Sequence, residues 1–134
     1  MSHEATAVPA GSQPVKHTDM VTALIKPGQS ILDTLTADRC NILHMAIGIS
    51  GEAGELLDAL KKALIYNKPI DRDNIIEEIG DLEFYMEGLR QALKISREQT
   101  LSANIHKLLL SDKARYKLGA YTDQQAQDRA DKQE

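Results

Sequence analysis

The chain is 134 residues long, about one domain, and 42% hydrophobic, with one Phe, four Tyr and no Trp, so any core is aliphatic, as helix bundles have. A formal charge of −4 gives no general attraction for a nucleic-acid polymer or an anionic membrane, and an anionic ligand would need a local cation. The single cysteine, Cys40, excludes an intrachain disulfide and a set of thiolate ligands. With no apolar run of about 18 residues and no basic-then-apolar leader, the expectation is a cytoplasmic protein without a membrane span.

Residues 1–16 are rich in Ser, Ala, Pro and Gln without apolar periodicity and read as a flexible tail. Thr18 and Asp19 can cap a short helix over 20–25, which Lys26-Pro27-Gly28 breaks, and a second short helical piece follows over 30–35. Thr36 precedes a long amphipathic pattern from 37 to 66. There Ile42, Met45, Ile49, Ala53, Leu56, Leu60 and Ala63 share one arc. Asn67-Lys68-Pro69 stops it. Asp71 is positioned to cap the next helix, whose apolar arc holds Ile75, Ile79, Leu82, Met86, Leu89 and Leu93. Ser96 and Gln99 have capping-box spacing and open a helix expected to reach 113–116. The polar stretch from 122 onward is expected to be partly helical or disordered.

No internal repeat and no strand-type alternation is present. These elements predict an all-α antiparallel helix bundle, with the two long helices paired as an αα-hairpin. The expected organisation is a tail over 1–16, a helical domain over 17–120 and a polar C-terminal segment over 121–134.

The acids carry the chemical information. Glu52 and Glu55 lie three apart on the first long helix, and Glu78 and Asp81 repeat that spacing on the second, so each pair projects from one face. Both pairs border the apolar arc, which turns four carboxylates toward the space between the helices. Like charges repel strongly there, unless protons or a hard cation offset them. Mg²⁺ suits such oxygen donors, and Mn²⁺ is a possible substitute. The competing reading is a solvated acidic face. A di-iron carboxylate bundle fits less well, because neither His44 nor His106 follows a Glu by three residues. Gly48, Gly51, Gly80 and Gly88 sit near these acids and imply either room for a ligand or close helix packing.

The segment 44–62, with Gly51-Glu52-Ala53-Gly54-Glu55 inside it, followed by Glu77-Glu78-Ile79-Gly80-Asp81, resembles the E-x-x-E, spacer, E-x-x-D signature of the all-α NTP pyrophosphatase superfamily, MazG-like branch. Twenty-two residues separate Glu55 from Glu78, which suits that family's short helical hairpin. The likeness extends over roughly residues 19–129. It implies hydrolysis of a nucleoside triphosphate between its α and β phosphates, with Glu52, Glu55, Glu78 and Asp81 as catalytic metal ligands for Mg²⁺. It also implies a homodimer or a dimer of dimers, in which a neighbouring chain helps complete the site.

Six further residues are candidates for substrate contact. His44 and Lys62 share the stripe of Glu55, His44 about three turns toward the N-terminus and Lys62 about two turns toward the C-terminus. Lys62 would meet phosphate and His44 base or sugar, against a solvated lysine and a packing histidine. Tyr85, four residues after Asp81, either stacks on a base or fills the core. Asn104, Lys107 and Arg115 resemble family positions that close over phosphate and sugar, against ordinary surface charges. Glu77 points about 100° from Glu78 and is not expected to be a ligand. Glu83 and Phe84 stand where the family usually has an apolar residue and often Trp, which touches base preference or a subunit contact. The rival function is a non-catalytic helical protein that binds nucleotide or a partner.

Overall fold

In the computed structural model, which describes residues 13–133, every regular element is helical. The chain divides into two compact units, Met1–Thr36 and Ala37–Glu134. Of the tail expected over 1–16, residues 1–12 lie outside those described. Residues 13–16 are exposed and non-helical.

The first unit holds α1 (His17–Leu24) and α2 (Gly28–Leu32). Helix α1 begins earlier than the sequence suggests. Lys16 stands at its N-cap without a side-chain cap, so Thr18 and Asp19 lie inside the first turn. Asp19 there suits the positive end of the helix dipole, while the Thr18 carbonyl accepts from Thr22 Oγ1 at 3.0 Å. Helix α2 is likewise displaced from its expected span. Pro27 initiates it, with its carbonyl accepting from the Ser30 N–H at 3.0 Å, and it ends at Leu32.

The second unit is organised by α3 (Ala37–Ile65) and α4 (Arg72–Leu93). The break between them has two parts. Asn67 adopts the left-handed conformation (φ 51°), and the next N–H, of Lys68, donates back to the Ala63 carbonyl at 2.8 Å. That bond closes a Schellman-type end. Asp71 then caps α4 by accepting the Asn74 N–H at 3.1 Å. Two glycines let the helices approach. Gly48 of α3 lies against the Tyr85 ring, and Gly88 of α4 lies against Met45, each so closely that a Cβ would collide. Moving three residues forward, from Met45 to Gly48, moves the partner three back, from Gly88 to Tyr85. The hairpin is therefore antiparallel, and the same register sets Glu52 opposite Asp81 and Glu55 opposite Glu78.

Helix α4 ends at Lys94, also left-handed (φ 57°), with the Ile95 N–H donating to the Arg90 carbonyl at 3.0 Å. The capping box at Ser96 and Gln99 forms as expected and starts α5 (Arg97–Ile105). The expected continuation to 113–116 does not occur. A π-turn covers His106–Leu110, closed by the Ser111 N–H on the His106 carbonyl at 2.9 Å, and Ser111 then takes extended backbone. A serine followed by an aspartate favours leaving a helix over continuing it. The C-terminal stretch is partly helical, with α6 (Asp123–Asp128) and a 3-10 turn (Ala130–Lys132).

Little of this unit is sealed from water. Ala63 and Ala114 are its buried apolar residues among those described; Arg90 is a buried charged residue, and the Asp131 side chain is buried as well. Arg90 donates to Glu87 at 2.9 Å and lies 3.9 Å from Glu83, which gives Glu83 a cationic neighbour on its own helix. Large apolar side chains of α3 stay open: Ile47 is 61% exposed, Leu57 67% and Leu64 66%. No helix among the described residues is long and apolar enough to cross a membrane.

Candidate metal centre and its cleft

The antiparallel register brings the acids together. One oxygen from each of Glu52, Glu55 and Glu78 lies within 4.8 Å of the others, close enough to share a single ion. Glu52 and Glu78 point into the helix interface, and the Oε2 atom of each is buried without a hydrogen-bond partner. Buried carboxylate oxygens are ordinarily satisfied, and an orphan at this position costs stability unless a proton or cation meets it. Both carboxyls are accordingly pushed above the usual glutamate range, first by lost hydration. Charge repulsion follows, from Glu55, Asp81 and Glu78 on Glu52, and from Glu55, Asp81 and Glu77 on Glu78.

Asp81 is outside the close trio and exposed, yet its charge reaches both buried carboxyls. Three carboxylates at this spacing, all oxygen donors, are a group that could hold a metal ion, and oxygen donors suit hard cations.

A cleft of about 600 Å³ opens from Glu55 and Glu78 toward the α3–α4 connection. Asp58, Ala59, Lys62, Lys68, Asp71 and Asn74 line it. Sequence reasoning singled out Lys62 here and missed Lys68 and Asn74. Asn74 was within reach of periodicity, being one turn before Glu78. Lys68 sits on the connection, which helical spacing does not describe. Lys62 Nζ is paired with Asp58 at 2.8 Å, an interaction that lowers the Asp58 pKa and raises that of Lys62. Both side chains are exposed, so the pair is worth little to stability.

At the opposite end of the acids, Tyr85 is half-buried across Gly48. His44 lies 6.3 Å from it, centroid to centroid, and Phe84 meets it edge-on at 5.2 Å. Tyr85 thus fills the helix interface, with an exposed His44 and Phe84 on either side.

The remaining candidates lie elsewhere. Asn104 is exposed near the end of α5. Lys107 borders a separate cavity of about 540 Å³ with His106, Ser111, Lys113 and Asp131. Arg115 is clasped to Asp131 by two parallel bonds, Nε to Oδ1 at 2.7 Å and Nη2 to Oδ2 at 2.9 Å. None of these three lines the carboxylate cleft. Comparison of the chain with known protein families, with curated proteins and with solved structures finds no match.

Proposed function

We propose that this chain is a Mg²⁺-dependent nucleoside triphosphate pyrophosphohydrolase of the MazG kind, with Mn²⁺ able to replace Mg²⁺. The observation that carries the reading is the trio of glutamate oxygens within 4.8 Å, two of them from residues that also bury an oxygen without a donor. A cation bound there neutralises charge on the triphosphate and polarises a phosphoryl oxygen. Glu52, Glu55 and Glu78 would hold it, and Asp81, on the turn beside Glu78, would complete the acidic set. Whichever of the four carboxylates is least engaged with the metal would take the proton of the attacking water. The water oxygen bonds to the α phosphorus, the bond to the α–β bridging oxygen breaks, and pyrophosphate leaves with the electron pair. His44 and Tyr85 flank the nucleoside, and Lys62 faces the phosphates.

The protein acts as a homodimer or a dimer of dimers. The open apolar side chains of α3 at Ile47, Leu57 and Leu64 are the surface a second copy covers. Asn104, Lys107 and Arg115, which do not line the cleft of their own chain, would reach the nucleotide from that second copy.

The test is pyrophosphate release from a panel of ordinary and modified nucleoside triphosphates, with and without Mg²⁺. Turnover is expected only with the metal. Glu55→Gln and Asp81→Asn each lower it by about a hundredfold or more while the helical circular dichroism stays unchanged. Binding without turnover of any nucleotide would favour the non-catalytic binding protein instead, and active mutants would refute the assignment of the ligands.

A further inference from the structure

The cleft has a direction. It leaves the acids on the side of Glu55 and Glu78 and runs away from His44 and Tyr85, toward the α3–α4 connection. From Glu55 to Lys62 the helix rises about 10 Å. Part of the path is already paired within the chain. Lys62 is held by Asp58, and Asp71 accepts from the Asn74 backbone. Lys68 is different: its ammonium has no carboxylate partner among the described residues, although its backbone is fixed by the bond to Ala63. Beside it, the half-buried Asn74 offers a side-chain amide that can donate. The cleft therefore carries uncompensated acids at one end and an uncompensated cation at the other.

A polyphosphate has the complementary order. Its near phosphates require a cation to approach the glutamates, and its far phosphate must pass Asp58 and Asp71, which repel it. A lysine at the end beside the α3–α4 connection offsets that repulsion. We infer that Lys68, with Asn74 beside it, is a subsite for the terminal phosphate of a polyphosphate chain, so that the leaving pyrophosphate lies toward the helical connection and the nucleoside toward His44 and Tyr85. This rests on the metal reading of the acids and adds the polarity of the substrate to it. Lys68 is a positioning and specificity residue in this arrangement, because it binds the part of the ligand that a monophosphate lacks.

Base-free probes separate the two claims. Magnesium tripolyphosphate, magnesium orthophosphate and Mg²⁺ alone are titrated calorimetrically into the full-length chain and into Lys68→Gln and Lys68→Arg. Both substitutions keep the backbone N–H that bonds Ala63, and circular dichroism checks the fold. The wild type is expected to bind all three. Lys68→Gln weakens tripolyphosphate about tenfold, a single charge-assisted contact, leaves orthophosphate and Mg²⁺ unchanged, and Lys68→Arg restores the affinity. Equal tripolyphosphate binding by wild type and Lys68→Gln overturns the subsite while leaving the metal centre standing. So does a wild type that binds Mg²⁺ but no tripolyphosphate. A wild type that binds no Mg²⁺ overturns both.

Discussion

The α3–α4 hairpin and the C-terminal clasp both remove carboxylates from water, with opposite consequences. At the clasp, the Asp131 side chain is only 1% exposed, and Arg115 meets both of its oxygens. That bidentate pairing holds the acid well below the ordinary carboxylate range, at about 2. In the hairpin, Glu52 and Glu78 each bury an oxygen that meets no donor, and their pKa values move up. Depth of burial is thus not what separates the two places. The chain supplies the counter-charge at the first, whereas at the second the nearest lysine of the cleft, Lys62, is taken by Asp58. A carboxylate matched from within is structural; one left unmatched beside others of its kind is a place for something the chain does not itself provide.

The sharpest way to break this comparison is to remove one acid from each region. Asp131→Ala strands the Arg115 guanidinium and should lower Tm by several degrees. Glu52→Gln removes a repelled charge and should raise Tm of the metal-free protein at pH 7–8. Thermal unfolding of both variants in chelator decides it, and a loss of stability in both would show that Glu52 is already satisfied.

Next in size is the response to metal and pH. Asp131, lowered from 3.8 to about 2, contributes stability that is complete above the ordinary value and is lost as pH falls toward about 2. Glu52 and Glu78 are raised from 4.5, so their contribution is complete below 4.5 and disappears as pH rises through their elevated values. Metal-free protein should therefore be most stable in mild acid and weaken toward neutrality. Mg²⁺ at a hundredfold its Kd should return about 2.7 kcal/mol on the neutral side. Tm measured against pH, with chelator and with Mg²⁺, should give two curves that separate as pH rises and merge in acid. Parallel curves would place the metal elsewhere.

The same contrast explains what could be read from the sequence. The approach of Glu52, Glu55 and Glu78 was legible because helical spacing fixes both the face and the register once Asn67 to Asp71 turns the chain back; Asp81, expected with them, lies outside that trio. The caps at Asp71 and Ser96 were legible for a similar reason, since each is a contact across three residues. By resemblance Arg115 reads as a substrate contact, against an ordinary surface charge. Its partner Asp131 lies sixteen residues on, beyond a turn and α6, and no local pattern announces that pairing. The π-turn at His106–Leu110 and the early starts of α1 and α2 depend on single-residue choices of backbone conformation, which periodicity averages over.

Glycines of the hairpin offer a finer version of the comparison. Gly48 is required by the Tyr85 ring, so Gly48→Ala should cost about 1–3 kcal/mol through overpacking, measured by urea denaturation. Gly51, Gly54 and Gly80 would meet nothing with a Cβ. In the isolated chain Gly54→Ala should add up to about 1 kcal/mol of helix propensity. A stabilised Gly54→Ala that keeps its oligomeric mass and its turnover would show that the space beside Glu55 is not used. Loss of either property would mark it as room for a ligand or a second copy.

The smallest expected effect lies at the far end of α4, away from any acid. Lys94 stops the helix in the left-handed conformation, which costs an L-residue roughly 1–2 kcal/mol and glycine almost nothing sterically. Its backbone N–H caps Arg90 and Gln91, and Gly keeps that donor. Glycine's greater freedom in the unfolded chain offsets part of the gain, so Lys94→Gly should stabilise by about 0.5–1 kcal/mol. Mg²⁺ affinity should not move, because Glu78 and Asp81 lie more than ten residues earlier on α4. A denaturation midpoint that rises with unchanged Mg²⁺ binding would show helix termination and metal binding to be separable properties of α4. A falling midpoint would mean that the Lys94 side chain holds a partner whose loss outweighs the relief of its backbone.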